Sequence, residues 1–192
     1  NKALFGKLNS IAYKAVEGGT VFCKLRGNPV VEVEHILQQI LQLQDSDAHR
    51  ILKHFEINAS RLAADMTAAL DRLPRGATSI SDFSQNLLLG VKEAWLYATL
   101  QFGEGAVRTG HLVYAWVATR DMRLVLPGIS PEFAKIKPEA LGENFAKIVA
   151  GSPEEALTAK DGSTPTGGGA APGEASGAMA PAQMGKQQAI KQ

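Results

Sequence analysis

Histidine is the residue type in this sequence that is best suited to metal binding, and it occurs four times. His35 and His111 each follow a glycine-containing turn and open an apolar run, in the stretches EHIL and GHLV. His49 and His54 are five residues apart, a spacing that does not place two side chains on one face of a helix. Neither H-E-x-x-H nor C-x-x-C, the usual zinc-binding patterns, occurs in the chain. The histidines therefore predict packing at the starts of two helices, and we expect no metal site.

The stretch GEGAVRTG, from Gly103 to Gly110, has some similarity to a phosphate-binding loop. A P-loop has the pattern G-x-x-x-x-G-K-[ST] because its lysine reaches the β- and γ-phosphates, and this stretch contains no lysine. Neither a P-loop nor a G-x-S-x-G nucleophile turn occurs in the 192 residues. We therefore expect no catalytic residues and no cofactor in this chain.

The overall composition argues against two large classes of partner. Lys and Arg number 20 against 19 Asp and Glu, and this balance does not favour an electrostatic interaction with nucleic acid. No apolar run approaches the roughly 20 residues that are needed to cross a bilayer, so no membrane partner is expected. The single cysteine, Cys23, cannot form an internal disulfide and is typical of a reducing compartment. These features favour a cytoplasmic protein.

Apolar residues in the first 150 positions recur at the three- and four-residue intervals of amphipathic helices. The first such run comprises Leu4, Leu8, Ile11, Ala15 and Phe22. No stretch alternates strictly enough to predict a strand, so the expected fold class is all-α. The residues that could cap later helices are Asn58, Ser81 or Asp82, and Thr109.

The chain also repeats itself with a shift of 76 residues, which makes Gly27 equivalent to Gly103 and His35 equivalent to His111. The same shift aligns apolar residues of the long helices, as in the pairs Ile11 with Leu87, Ala15 with Val91, and Phe22 with Ala98. Two copies of one helical unit can bury their apolar faces against each other, although neither copy could do so alone. The pattern therefore predicts a pseudo-twofold tandem repeat of about four helices each over residues 1–150.

Residues 151–192 differ sharply in composition from this repeat region. They contain eight glycines and four prolines and almost no large apolar side chains. Such a segment cannot bury enough surface to offset its conformational entropy. We expect a flexible linker rich in Gly, Ala, Pro and Ser that leads to a further domain; a plain disordered tail is the alternative.

The sequences of both copies resemble a known family. The stretches LFGKLNSIAYKAVEGGTVFCKLRGNPVVEVEHIL and LLLGVKEAWLYATLQFGEGAVRTGHLV are similar to the N-terminal repeat domain of the Clp and Hsp100 disaggregases, in particular the ClpV (TssH) branch. The resemblance covers roughly residues 3–150. The closing MGKQQAIKQ resembles the segment that leads into the first ATPase module of that family.

This resemblance implies a recognition function. In the ClpV branch, an AAA+ ATPase disassembles the contracted sheath of the type VI secretion system. Its N-terminal domain binds the N-terminal helix of the larger sheath subunit, VipB or TssC, in an apolar groove. ATP and magnesium would be bound by ATPase modules that this chain lacks, and those modules would assemble the full-length homohexamer. The chain alone is expected to be a monomer.

A groove at the amino end of the domain is one prediction for the peptide site. The first copy starts its apolar pattern about a turn earlier than the second, which leaves Leu4, Phe5 and Leu8 without counterparts. A guest helix could cover such residues, or they could complete the core. The residues nominated for peptide binding are Leu4, Phe5, Leu8, Ala12, Ala15 and Val16.

Two further expectations remain open. Gly18 and Gly19 lie within a predicted helix, where glycine costs up to about 1 kcal/mol relative to alanine. They predict a close backbone approach, either by a neighbouring helix of the domain or by the ligand. The alternative function is a general docking domain for adaptors or unfolded chains, as in the ClpA and ClpC relatives.

Overall fold

Helices form most of residues 2–162, the part of the chain that this computed structural model describes. The first repeat contains α1 (Lys2–Phe5), α2 (Ser10–Leu25), α3 (Val33–Leu41), α4 (Asp47–His54) and α5 (Ala59–Asp71). The second contains α6 (Gln85–Leu96), a π-helix (Tyr97–Gln101), α7 (Thr109–Ala118), α8 (Val125–Ile129), α9 (Pro138–Glu143) and α10 (Phe145–Ile148). Short 3-10 helices at Arg120–Met122 and Pro131–Lys135 precede and follow α8. The predicted helical fold class is confirmed.

Two very short strands, β1 (Val30–Val31) and β2 (Asp82–Phe83), depart from the expectation that no strand occurs. They pair in parallel, and an isolated parallel bridge joins Leu8 to Val107. The segment before the long helix of each repeat thus pairs with the extended turn of the other repeat. Such reciprocal pairing ties the repeats together about a pseudo-twofold axis. Two residues are too few to show the alternation by which strands are predicted.

Helix caps were predicted with mixed success. The Asn58 side chain accepts a hydrogen bond from the backbone of α5, as predicted. Ser84, rather than Ser81 or Asp82, caps α6, because β2 (Asp82–Phe83) comes before the helix: Ser81 precedes this strand and Asp82 lies in it. Thr109 is the first residue of α7 and not its cap.

The long helices α2 and α6 are equivalent with a shift of 75 residues rather than 76. Their capping residues are Asn9 and Ser84. The buried positions agree in this register: Ala12, Ala15, Val16, Gly19 and Cys23 in α2 correspond to Leu87, Gly90, Val91, Ala94 and Ala98. The predicted pairs Ile11 with Leu87, Ala15 with Val91, and Phe22 with Ala98 are therefore wrong by one position.

The register changes at the end of the second long helix. Gly27 and Gly103 follow the two long helices, adopt positive φ of 71° and 66°, and are separated by 76 residues. The additional residue lies in the π-helix at Tyr97–Gln101, since a π turn holds one more residue than an α turn. From there onward the predicted shift of 76 is correct, and it includes His35 and His111.

The predicted close approach at Gly18 and Gly19 is made by a neighbouring helix of the same domain. A Cβ at Gly19 would lie 3.2 Å from the backbone carbonyl of His35, in α3. A Cβ at Gly18 would meet the side chain of Gln39, one turn further along α3. Of the two alternatives for these glycines, the structure shows the intramolecular one.

The ordered domain extends beyond the predicted boundary at residue 150. Glu154 is almost completely buried, and its carboxylate accepts hydrogen bonds from Asn9 Nδ2 (3.0 Å), Asp47 N (2.8 Å) and Thr109 N (2.8 Å). Further on, Lys160 N donates to the carbonyl of Leu8 at 2.6 Å. The linker prediction is thus wrong for residues 151–162, because composition cannot reveal one buried carboxylate that joins three elements. The rest of the predicted linker, 163–192, lies outside the described residues.

Candidate functional site

The six residues nominated for peptide binding lie mostly inside the domain. Five are buried: Phe5, Leu8, Ala12, Ala15 and Val16. The ring of Phe5 packs edge-on against Phe83, with centroids 5.0 Å apart. The protein's own side chains thus fill the furrow predicted at the amino end, because α1 folds back onto the second repeat. Only Leu4, which is half-buried, keeps a surface that a partner could contact.

The outer side of α6 and of the π-helix that continues it carries a different apolar surface, which we call the leucine face: Leu89, Leu96 and Leu100. The side chain of Leu100 is 83% exposed and that of Leu96 is 41% exposed, while Leu89 is half-buried. Intervals of seven and four residues place the three on one side of a helix. Adjacent exposed leucines on a folded domain are typical of a protein interaction site.

The amino-terminal segment packs against the same helix, next to Trp95. Helix α1 packs against α6, and the Lys7 ammonium lies 5.1 Å from the centroid of the half-buried Trp95 ring. Lys7 also forms an ion pair of 3.0 Å with Asp161 in the carboxy-terminal segment. Trp95 directly precedes Leu96 of the leucine face in the chain, so the contact between the cation and the ring lies on an adjacent side of the same helix. Sequence reasoning missed the leucine face, although Leu96 and Leu100 are visible as apolar residues on the polar side of the helix.

The equivalent histidines of the two repeats accept hydrogen bonds from the backbone of the helix-capping residues. Nδ1 of His35 accepts a hydrogen bond from Glu32 N at 2.8 Å, and Nδ1 of His111 accepts one from Arg108 N at 3.0 Å. An accepting Nδ1 places the proton on Nε2, and that of His35 donates to Asn28 Oδ1 at 2.8 Å. Burial, aided by the charge of Arg26, lowers the pKa of His35 to about 4. Within residues 2–162 no group of three or more His, Cys, Asp or Glu is arranged to hold a metal ion.

A buried ionic cluster joins the two repeats near the start of α7. The Arg108 guanidinium forms a bidentate pair with Asp47, with N–O distances of 2.7 and 2.8 Å, and reaches Glu104 at 3.1 Å. Burial and the nearby charge of Asp47 raise the pKa of Glu154, although hydrogen bonds from Thr109 and Asn9 oppose the shift. Because these groups bind one another across both repeats and the carboxy-terminal segment, the cluster is structural.

None of the helices described between residues 2 and 162 is both long and apolar enough to cross a bilayer.

Comparison with known proteins gives the class of this domain. Residues 7–126 match the Clp repeat (R) N-terminal domain family, and the chain belongs to that family. Its sequence is 58% identical over 189 residues to the AAA+ ATPase ClpV1 of Pseudomonas aeruginosa and 43% identical over 178 residues to the chaperone protein ClpB of Yersinia enterocolitica. These alignments cover 98% and 93% of this chain but only 21% and 20% of the relatives, so the chain spans about a fifth of their length.

Solved structures narrow the similarity to the ClpV type of N-domain. A chain solved in work on the coevolution of the ATPase ClpV, the TssB–TssC sheath and the accessory HsiE protein is 57% identical, with a TM-score of 0.77. That match covers 79% of this chain and 94% of the solved one. A complex of the ClpV N-domain with a VipB peptide is 28% identical with a TM-score of 0.69, and the match covers 80% and 93% of the two chains. The resemblance noted in the sequence is confirmed.

Proposed function

We propose that this chain is the substrate-recognition domain of an AAA+ ATPase that disassembles the type VI secretion sheath. Its ligand is the N-terminal helix of the larger sheath subunit, the VipB or TssC protein, and the helix docks on the leucine face. The exposure of Leu96, the last residue of α6, and of Leu100 in the π-helix that follows is the observation that carries this proposal. The structural similarity to a ClpV N-domain that was solved with a VipB peptide supports it.

The physical basis is helix-on-helix docking. An amphipathic helix that presents apolar residues at three- and four-residue intervals complements a stripe with the same spacing. Full burial of one leucine side chain contributes about 1.5–3 kcal/mol. Leu96 is 41% and Leu100 is 83% exposed, so covering both contributes about 2–4 kcal/mol towards the roughly 8 kcal/mol of a micromolar complex.

The remaining functions of such an ATPase belong to other parts of the full-length protein. This domain binds substrate and does not catalyse a reaction. ATP and magnesium are bound by the ATPase modules, which form the homohexamer that pulls on the captured subunit in the bacterial cytoplasm. The isolated domain is a monomer, and light scattering of the purified chain tests that part of the proposal.

A peptide titration tests the leucine face. Fluorescence anisotropy of a labelled N-terminal sheath-subunit peptide should show that the double variant Leu96→Ala/Leu100→Ala binds at least roughly tenfold more weakly than the parent. The first repeat offers a matched control, Val21→Ala/Leu25→Ala, because these two residues are also exposed and lie towards the end of the equivalent long helix. The control should bind as the parent does. Equal affinities for all three proteins would exclude the leucine face as the site.

The alternative function, docking of unfolded chains in general, has some support in the 43% identity to a ClpB chaperone. A competition assay separates the two functions. An unlabelled, permanently unfolded protein such as reduced and alkylated lactalbumin should not displace the sheath peptide at equal mass concentration. Displacement as effective as that by unlabelled sheath peptide would favour the general docking function.

A further inference from the structure

A second apolar cleft lies in the first repeat, where α3, α4 and α5 meet. Its volume is about 410 Å³, and its lining residues are Leu41, His49, Leu52, Lys53, Ile57, Ala59, Leu62 and Ala63. None of these residues belongs to α1 or α6, so this α4–α5 cleft is distinct from the leucine face. A volume of this size accommodates bulky apolar side chains of a partner.

Small residues keep the cleft open. Ala59 and Ala63 lie four positions apart on α5 and line its wall, while Leu41, Leu52 and Ile57 on the other walls are only half-buried. A leucine at either alanine would fill part of the space. Packing requirements alone therefore do not explain the cleft, because larger side chains at these exposed positions would cover the neighbouring apolar surface.

The equivalent region of the second repeat is less suited to an apolar guest. Its cleft has a volume of about 290 Å³ and contains Val117 at the position of Leu41, but its lining includes both Arg123 and Glu139. The α4–α5 cleft contains no carboxylate among its lining residues. The two repeats have thus diverged at this position in charge as well as in size.

The mouth of the α4–α5 cleft is cationic. Lys53 lines the cleft and is exposed, and no carboxylate of residues 2–162 lies within ion-pair distance of its ammonium group. The neighbouring Arg50, by contrast, is neutralised by Asp45 at 2.7 Å. An apolar guest with a carboxylate beside its apolar residue would complement this arrangement.

We infer that the α4–α5 cleft is a docking site for an acidic amphipathic helix of a partner protein. The partner inserts leucine-type side chains between α4 and α5 and places a glutamate or aspartate against Lys53. This second site leaves the leucine face free, so one domain can hold a sheath helix and a second, acidic segment at the same time.

The test uses a fluorescein-labelled synthetic helical peptide with leucines at intervals of four and three and glutamates beside them. Wild-type domain should bind it, and Ala63→Trp, which fills the cleft, should weaken binding roughly tenfold. Lys53→Glu should lower the affinity for the acidic peptide. The same variant should bind more tightly a version of the peptide in which lysines replace the glutamates. Both substitutions are at exposed positions, and unchanged far-ultraviolet circular dichroism checks that the fold is retained.

The leucine-face variant Leu96→Ala/Leu100→Ala provides the control and should bind the acidic peptide as the wild type does. Ala63→Trp should in turn leave the sheath peptide unaffected, so failure here and failure of the proposed function give different results. The inference would be overturned if Ala63→Trp bound the acidic peptide as tightly as the wild type does. It would also be overturned if the leucine-face variant lost binding of the acidic peptide. No dependence on the charge of residue 53 would overturn it as well.

Discussion

The two repeats share a backbone plan but differ in what their long helices present to solvent. Lys14 and Val21 of α2 are equivalent to Leu89 and Leu96, and Leu25 lies at the end of its long helix as Leu100 does. Val21, Leu25, Leu96 and Leu100 are all exposed, whereas Leu89 packs partly against the core; only the second set is leucine throughout. The shared buried pattern explains why the repeats fold alike, whereas the outer positions are free to diverge because packing does not constrain them.

The interior differs at the starts of the short helices. The capping position of α3 holds Glu32, and the equivalent position of α7 holds Arg108, which is buried against Asp47. The second repeat therefore depends on charges supplied by the first repeat and by Glu154. The comparison shows a symmetric apolar scaffold with asymmetric polar contacts, and the following experiments test it.

The largest effect on the free energy of unfolding is expected at Arg108, the buried position where the two repeats differ in charge. Arg108→Ala should lower the free energy of unfolding by about 3–5 kcal/mol, because it leaves the Asp47 carboxylate buried without its guanidinium partner. Glu32→Ala, at the equivalent cap of the first repeat, should cost only about 1 kcal/mol. Urea unfolding of both variants measures the difference. Similar losses for the two would show that the caps are equivalent in energy as well as in position.

The second effect concerns acid sensitivity through His35. Its pKa is lowered to about 4 in the folded protein, so the unfolded chain binds the proton more tightly. The stabilisation is complete above a pH of about 6.5 and is lost as the pH falls towards 4, by up to about 3 kcal/mol. His35→Gln keeps an acceptor at this capping position and should flatten that part of the profile.

Urea midpoints of the parent and of His35→Gln at pH 7 and pH 4.5 measure this change. An equal decrease in both proteins would assign the acid sensitivity to other groups.

The third effect concerns a buried position of the long helices that is Ala15 in the first repeat and Gly90 in the second. A Cβ at Gly90 would lie 2.9 Å from Cε2 of the fully buried Trp116, which occupies the position of Ile40 in the first repeat. Gly90→Ala should therefore destabilise the domain by about 1–3 kcal/mol. Gly18→Ala is the control, because only the flexible Gln39 side chain must move; it should be neutral or stabilise by up to about 1 kcal/mol. Thermal melts that rank these variants in the opposite order would contradict the packing argument.

The smallest effect on stability is expected at the leucine face. Leu96→Ala and Leu100→Ala should each change the free energy of unfolding by less than about 0.5 kcal/mol, since these side chains are exposed. Val21→Ala and Leu25→Ala in the first repeat should behave in the same way. A loss of more than about 1 kcal/mol at Leu100 would mean that the residue stabilises the fold and is not free for a ligand.

Sequence reasoning succeeded where a local pattern dictates the structure. The helical class, the repeat and the equivalence of His35 with His111 follow from spacing and from recurrent turn residues. It failed at the register of the long helices, because one residue absorbed by a π-helix leaves no compositional mark. It also ended the domain too early, because residues 151–162 are held by Glu154 rather than by an apolar pattern.

For the candidate site, the sequence predicted the type of surface but not the residues that form it. An apolar surface for a helix was expected at Leu4, Phe5 and Leu8, but the last two are buried within the domain. Apolar residues without a counterpart in a repeat indicate that something covers them, but they do not indicate whether the cover is a partner or the protein itself. The exposed leucines lie instead on the helix that α1 borders.

The sequence by itself determined that this protein is a doubled helical unit, because apolar periodicity and recurrent turn glycines act locally, and its similarity to the Clp N-terminal family was visible in the same stretches. Only the tertiary structure decided which apolar residues remain exposed. That outcome depends on how α1, the carboxy-terminal segment and the two repeats compete to cover the same surface, and such competition among distant segments has no signature in any single stretch of the chain.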